Sequence, residues 1–510
     1  MRNDLLVTRL THAICVLGAL GVSTAQAQET VAADLEGSSL RLGGYVRTWA
    51  SVNLQDPPET AANDRGELSM LRASLALNAD LKTGPLQWKA IARADREHKT
   101  QYLRRLELAN QAGGLAGGPG SDIMSLYNKV ELRELYADMQ PTERIRLRVG
   151  KQQVVWGETD FFHATDLIHG YDYRWRSFLE RDNDELRKPL ILLNAQFDVP
   201  ELGGSLQAIV RPGWDRGQDI GITYDLSGGR WALQPNKTED FLAPNGLNYD
   251  YHHPDGDTDN VTGGFKWSGT GAVNYALSYL KTFAPNPVAN SSFVPYKKTP
   301  SGTLGDFIYP KVDVFGGSIS KEVDAMDAIL SAEVAYQKGM PYNLGTNFLS
   351  GALPGFGGIM LKNVLVSTIR LDKQLRLQPY LGTNTPSFFS IQLFDTWIQN
   401  FQQADDLVEL VGFGAPVKQH TTLLTGFITF SHFHSAVNSQ LAFGADLSNG
   451  DSFLLPSVEF SLGDRWRLLA EANLFFPRYA KQPGQVEMSA HPLGGFANNN
   501  QFLLRLTYQF

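Results

Sequence analysis

The chain is nearly devoid of cysteine. Its one thiol, Cys15, lies close to the N-terminus. Disulfides therefore cannot hold this fold, and stability must come from a backbone ladder and packing. Long apolar runs are missing as well. Beyond the first residues there is no stretch of about 18 apolar residues, so no membrane-spanning helix is expected. Positive charge is in deficit, with 45 Lys and Arg against 53 Asp and Glu and a net charge of −8. That balance argues against nucleic acid as a partner. Linear enzyme motifs are absent too: no G-x-S-x-G, no H-E-x-x-H and no P-loop. "DGDTDN" (255–260) resembles a calcium loop, but Asn260 stands where an EF-hand needs glycine and Lys266 where it needs glutamate. His252, His253, His432 and His434 offer no metal-ligand spacing beyond chance and are read as solvated or interfacial. The expectation is no catalytic residue, no cofactor and no metal. A barrel hydrolase drawing Ser, His and acid from separate strands would leave no linear motif, and stays as an alternative.

What is present begins with an export signal. Arg2 and Arg9 flank a polar start, "AICVLGALGV" (13–22) is a short apolar run, and Ala25-Gln26-Ala27 closes it. This is the layout of a secretory signal peptide, with cleavage expected after Ala27. Without residues 1–27, which carry two arginines and one aspartate, the charge is −9. Residues 28–38 are read as a short periplasmic segment and 39–510 as one folded unit. The 48 glycines, 28 phenylalanines and 18 tyrosines lean toward strands and turns.

Periodicity says what those strands do. Leu71, Ala73, Leu75, Leu77, Ala79 and Leu81 alternate with Arg72, Ser74, Asn78, Asp80 and Lys82. Strict period-two alternation of this length suits a tilted membrane crossing. The pattern recurs at 191–199, 206–211 and 466–476. Short turns such as "QPTE" (140–143), "SGTGA" (268–272) and "SLGDR" (461–465) join strands at one end. Long polar loops join them at the other, near 99–127, 157–188, 215–258, 284–306, 339–359 and 401–420. The fold class is therefore all-β: an antiparallel up-and-down transmembrane barrel of about 18 strands (16–18), with short periplasmic turns and long extracellular loops. The stretch 372–400 reads as one strand plus a wide turn or as two strands. "VELRELYADM" (130–139) reads as a strand whose alternation slips at Arg133-Glu134, with a helix as the competing pattern. A short helix is expected within 103–111 or 160–186. Phe502, Leu504, Leu506, Tyr508 and Phe510 alternate to the C-terminus. Such a strand is expected to be read by the outer-membrane assembly machinery, which makes that machinery and outer-membrane lipid the expected partners.

"RIRLRVGKQQVVWGETD" (144–160) raises the functional question. With Ile145, Leu147 and Val149 toward lipid, Arg144, Arg146 and Arg148 face the lumen, and Gln152 continues that face. Arginine on the lipid side would cost about 2–4 kcal/mol at the midplane. Glu131 and Arg133 on the neighbouring strand join this pore-lining set. Two roles fit: a cation column that attracts anionic solutes, and internal ion pairs that fill and stiffen the barrel. Trp156 is expected at the rim as an interface anchor. Gly157 would release the backbone from the sheet, and Glu158 and Asp160 would begin a long loop.

The pair "LRELYAD" (132–138) and "RLRVGKQQVVWGETD" (146–160), with "FFS" (388–390) and "LGDRW" (462–466), resembles a proteobacterial outer-membrane β-barrel family catalogued as domain of unknown function 1302. The resemblance covers nearly the whole mature chain and is specific over 150–160. It implies an exported barrel, often encoded beside lipid-exporting permeases of the resistance-nodulation-division type. It therefore implies an inner-membrane permease as a partner and hydrophobic or lipid-like molecules as cargo. The family supplies no catalytic residues. The expected function is an outer-membrane channel or transport component passing small or hydrophobic molecules. The alternatives are a lipid or hydrocarbon transport partner without an open aqueous pore, and an outer-membrane barrel enzyme.

Overall fold

The structure, a computed structural model, describes residues 33–510 apart from 36–37, 58–59, 61, 113–121, 158–161, 181–182, 226–227, 233–250, 253–259, 291–306, 346–357, 410–414 and 479–492. The expected leader with Cys15, and Glu158 and Asp160, lie outside the described residues.

Alternation fixes each strand's two faces, and the strands close into one barrel. In chain order they begin with β1 (Ser38–Asn53), β2 (Leu68–Thr83), β3 (Leu86–Glu97), β4 (Lys129–Thr142), β5 (Ile145–Gln152) and β6 (Leu190–Val199). Then come β7 (Gly204–Arg211), β8 (Thr262–Gly269), β9 (Asn274–Phe283), β10 (Lys311–Val323), β11 (Ala328–Leu344) and β12 (Ile359–Leu375). The circuit ends with β13 (Ser387–Ile398), β14 (His420–His432), β15 (Val437–Asp446), β16 (Ser452–Leu462), β17 (Trp466–Phe476) and β18 (Gln501–Gln509). Each pairs antiparallel with the next, and β18 returns to β1 from Tyr45↔Gln509 to Asn53↔Gln501. Gly44 and Phe510 exchange backbone bonds of 3.0 and 3.1 Å at the seam. The result is the expected closed antiparallel barrel of 18 strands, with no edge left open.

The two faces differ as the alternation requires. On β2, Leu75 and Leu77 are 39% and 49% exposed, whereas Arg72 and Ser74 on the opposite face are buried. Exposed apolar side chains mark the outer, lipid-facing surface. Part of it is a cross-strand aromatic row, Phe265–Tyr279–Phe315–Tyr336, with ring centroids 5.1–6.4 Å apart. Phe502, Leu504, Leu506 and Tyr508 share this outer face with Val46, their partner rows on β1 being Val52, Ala50, Thr48 and Val46.

Short connections lie at one end, including 84–85, 143–144, 200–203 and 463–465. Besides the six long connections expected, 54–67 and 477–500 also lie at the long-loop end. Residues 130–139 are strand, and their slip is a β-bulge: Ile91 pairs Glu134 while Ala92 pairs Leu132, leaving Arg133 as the extra residue. In 372–400 the first residues finish β12, a helical turn Gln378–Leu381 makes a wide turn, and β13 follows. The expected helix occurs as α1, Gln101–Ala112.

Candidate functional site in the barrel lumen

Most lumen-facing charge does not point into open water, because described parts of the long loops fold back inside. Tyr102, Leu103 and Leu106 of α1 are fully buried against Trp49, Met70 and Tyr127. Residues 162–180, 183–188, 217–225, 228–232 and Gly494–Phe496 fill further space and are largely buried. The connection 157–188 is expected to be a polar loop, and the structure turns its described residues inward. Six of the eighteen residues 161–178 are Phe, Tyr or Trp, and a solvated loop has no use for that much apolar surface.

Guanidinium groups tie this plug to one side of the wall. Arg230 is fully buried; it pairs with Glu97 of β3 at 2.5 Å and donates to the carbonyls of Ser69 (2.7 Å) and Trp175 (3.2 Å). Arg176 joins Glu471 of β17 at 2.5 Å and Glu180 at 3.0 Å, and Glu180 accepts from Arg505 of β18 at 3.1 Å. Glu185 meets Arg47 of β1 at 2.6 Å. Burial pushes the Glu185 carboxyl up, but Arg47 and Arg93 hold it below the usual range. Likewise burial opposes ionisation of Asp172, and Arg174 at 2.7 Å holds that carboxyl well below its ordinary value. The plug's imidazole at His169 is neutral. Its Nε2 accepts from the Val154 amide and its Nδ1 faces the Lys188 carbonyl, both at 2.9 Å. Burial and the Arg187 cation depress its pKa to about 3.

The arginines of the 144–160 stretch divide among three environments. Arg144 sits in the turn before β5, well exposed, and pairs with Glu201 of another short turn at 2.7 Å. Arg148 pairs with Asp138 at 2.6 Å and lies over the Tyr136 ring at 4.3 Å. Arg146, exposed, makes no ion pair among the described residues. Arg146 and Arg148 line an opening of about 220 Å³ with Asn194, Gln196 and Gln207, on the short-turn side of the plug. Glu131 collects three cations, Lys129 (2.8 Å), Arg133 (2.9 Å) and Arg93 (3.0 Å). Arg133 also donates to the carbonyls of Asp184 (2.7 Å) and Arg187 (2.9 Å) in the plug. Gln152 is buried and donates to the Leu192 carbonyl at 3.0 Å.

Trp156 is not at the rim. Only 3% exposed, it enters the lumen with its Nε1 donating to Gln207 of β7 at 2.9 Å, while Lys266 of β8 caps its carbonyl at 2.8 Å. The reason is that β5 stops at Gln152 and the chain crosses the barrel interior instead of climbing the wall. Gly157 lies on this crossing, where a Cβ would stand 3.1 Å from Asp166 Cβ.

Opposite the charged wall, part of the lumen face is apolar. Val364, Val366, Phe394 and Ile398 of β12 and β13 face inward and are buried. Between them and the plug lies a cavity of about 350 Å³, walled on the plug side by Phe162, Tyr171, Tyr173, Phe178 and Phe496. Asp166, Glu409 and Lys418 are its charged members. His163 stacks on Tyr171 at 4.7 Å, and burial with Arg187 nearby lowers its pKa to about 4. The alternation reading missed these wall residues; Val364-Leu365-Val366, apolar on both faces, was the available sign.

A closed, lipid-facing barrel whose own loops fill its interior defines the class: an outer-membrane-type β-barrel with a plugged lumen. Within that class the chain belongs to the family described as protein of unknown function (DUF1302), whose model matches residues 8–510. Among solved structures it is similar to the outer-membrane protein OmpT of Vibrio cholerae, at 9% identity over 94% of this chain and 100% of that one, with a TM-score of 0.32. A loop L8 deletion mutant of OmpT is matched at 9% identity, 93% and 100% coverage, and a TM-score of 0.33. Likenesses this distant carry nothing about function. No curated protein sequence matches the chain.

Proposed function

We propose that the protein resides in the outer membrane and carries small apolar or lipid-like molecules across it, without an open aqueous pore. The observation behind this reading is the aromatic cavity of about 350 Å³ between plug and apolar wall. Its volume lies in the range of small-molecule sites, about 300–1,000 Å³. A general porin needs a wide polar channel, whereas here long loops occupy the lumen and buried ion pairs fasten them. The reading invokes no catalytic residue and no cofactor, and an inner-membrane permease would supply or receive the cargo.

Reconstitution in nanodiscs tests it. Pyrene, as an apolar probe, should bind saturably in excess over empty discs, and Val366→Trp, which fills the cavity, should abolish the excess. In planar bilayers the protein should show no sustained ohmic steps. Stable porin-like conductance with no saturable pyrene binding would overturn the reading.

A further inference from the structure

The barrel wall is uneven in height. β5, β7 and β8 have 8 residues each and β6 has 10, while β1 and β2 have 16 and β11 and β12 have 17. A tilted strand needs about 9–11 residues to cross the hydrocarbon. The low sector therefore ends at bilayer height on the long-loop side, which faces outward in barrels of this class. Its ends carry exposed apolar side chains: Trp214 just after β7 is 74% exposed and Val261 just before β8 is 60% exposed.

Within this sector the ladder between β6 and β7 stops early. Its last pair is Leu193↔Val210, although β6 extends to Leu190. Pro212, which has no N–H to continue the ladder, follows β7 directly. A wedge beside Leu190–Leu192 is thus unpaired toward β7. Unpaired backbone at lipid depth is costly, and side chains stand in. Asp215 accepts the Ile191 amide at 2.7 Å and faces Arg211 at 3.5 Å. Arg211 in turn donates to Thr262 Oγ1 (3.0 Å) and the Asn260 carbonyl (2.5 Å).

Directly inside the wedge is a small, mainly apolar pocket of about 20 Å³ that includes Leu190, Leu192, Ile209 and Phe283. It is one backbone layer from the large cavity. Ile168, Ile220 and Phe283 line the small pocket, while their neighbours Leu167, His169, Ile222 and Pro285 line the large one.

We propose that apolar molecules pass between the outer leaflet of the bilayer and the lumenal cavity through a lateral opening between β6 and β7, held shut by Arg211 and Asp215. This rests on the transport reading above and assigns its route. The occupant comes from the membrane, because the outward surface at the wedge is apolar and no wide aqueous path to the pocket is needed.

Cysteine chemistry tests the route. The only cysteine is Cys15, within the expected leader, so Thr396→Cys in the cavity wall gives a single reporter. In proteoliposomes, N-hexadecylmaleimide dissolved in the bilayer should label Cys at 396 faster than a water-soluble maleimide added outside. Phe283→Ala or Asp215→Ala, each loosening the wedge, should raise the bilayer-delivered rate about tenfold. Leu106→Ala, which removes a buried side chain of α1 that lines neither pocket, should not. Heat-modifiable mobility verifies that each variant is folded. Faster labelling by the aqueous reagent, or equal acceleration by Leu106→Ala, overturns the lateral route. In that event saturable pyrene binding still stands or falls separately, so the two readings are not confounded.

Discussion

Arg230 and Arg144 carry the same charge in opposite surroundings, and a substitution at each should behave accordingly. Arg230→Gln leaves the buried Glu97 carboxylate short of its partner. Uncompensated buried charge costs about 3–5 kcal/mol, and the low end applies because Arg72 remains 3.7 Å from Glu97. A urea titration followed by heat-modifiable mobility should show the loss. Arg144→Gln, at an exposed turn pair, should leave the same titration unchanged. At this scale the sequence was only half informative. Alternation gave the face of Arg146 and Arg148, because lipid forbids the other choice. It did not give the partners: Asp138 is close in sequence, but Glu201 and the plug carbonyls around Arg133 come from distant loops. Trp156 was misplaced because interface tryptophans and buried ones look alike until the path of the following chain is known.

The bulges and turns show what is local and what is not. Gly150 has φ +129°, and a Cβ there would stand 2.2 Å from the Leu135 carbonyl oxygen. Gly150→Ala therefore strains β5 against β4 by about 1–3 kcal/mol and should lower the folded fraction in a refolding assay, as judged by heat-modifiable mobility. Gly84→Ala is the control, since its φ of +56° is also left-handed yet open space surrounds it. The strain is then purely of the backbone, and the loss should be smaller. Strands such as β2 were legible because their period is a local property of the chain. The strand β4 was legible despite its slip, because a bulge displaces one residue and leaves alternation intact on either side. The inward fold of the long loops was not legible from period. It shows only as composition, in the aromatic density of 161–178, and its docking depends on arginines and carboxylates far apart in the chain.

Across the whole molecule the lumen is two-sided, with ion pairs fastening the plug to β1–β4, β17 and β18 and apolar contact facing β12 and β13. Buried pairs are weakly screened, so 1 M salt should leave the plug seated. Acid should not. The neutral imidazoles of His163 and His169, with pKa values lowered to about 4 and about 3, bind a proton near pH 6.5 only when released. Their contribution is complete above about pH 6.5 and declines as the pH falls toward those lowered values. The carboxyls of Glu185 and Asp172, also held low, add a second loss. Theirs is complete above the ordinary carboxylate pKa of about 4 and fades below it. Planar-bilayer recordings should therefore be silent at pH 7 in both 0.1 M and 1 M salt. Conductance should appear first below about pH 6 and rise again below about pH 4, as the plug loosens. Replacing His169 by Gln, which retains a donor and an acceptor without a titrating ring, should remove part of the first rise and spare the second. Conductance that follows salt concentration at constant pH, or that ignores acid altogether, would mean that the ion pairs and buried histidines are not what keeps the lumen closed.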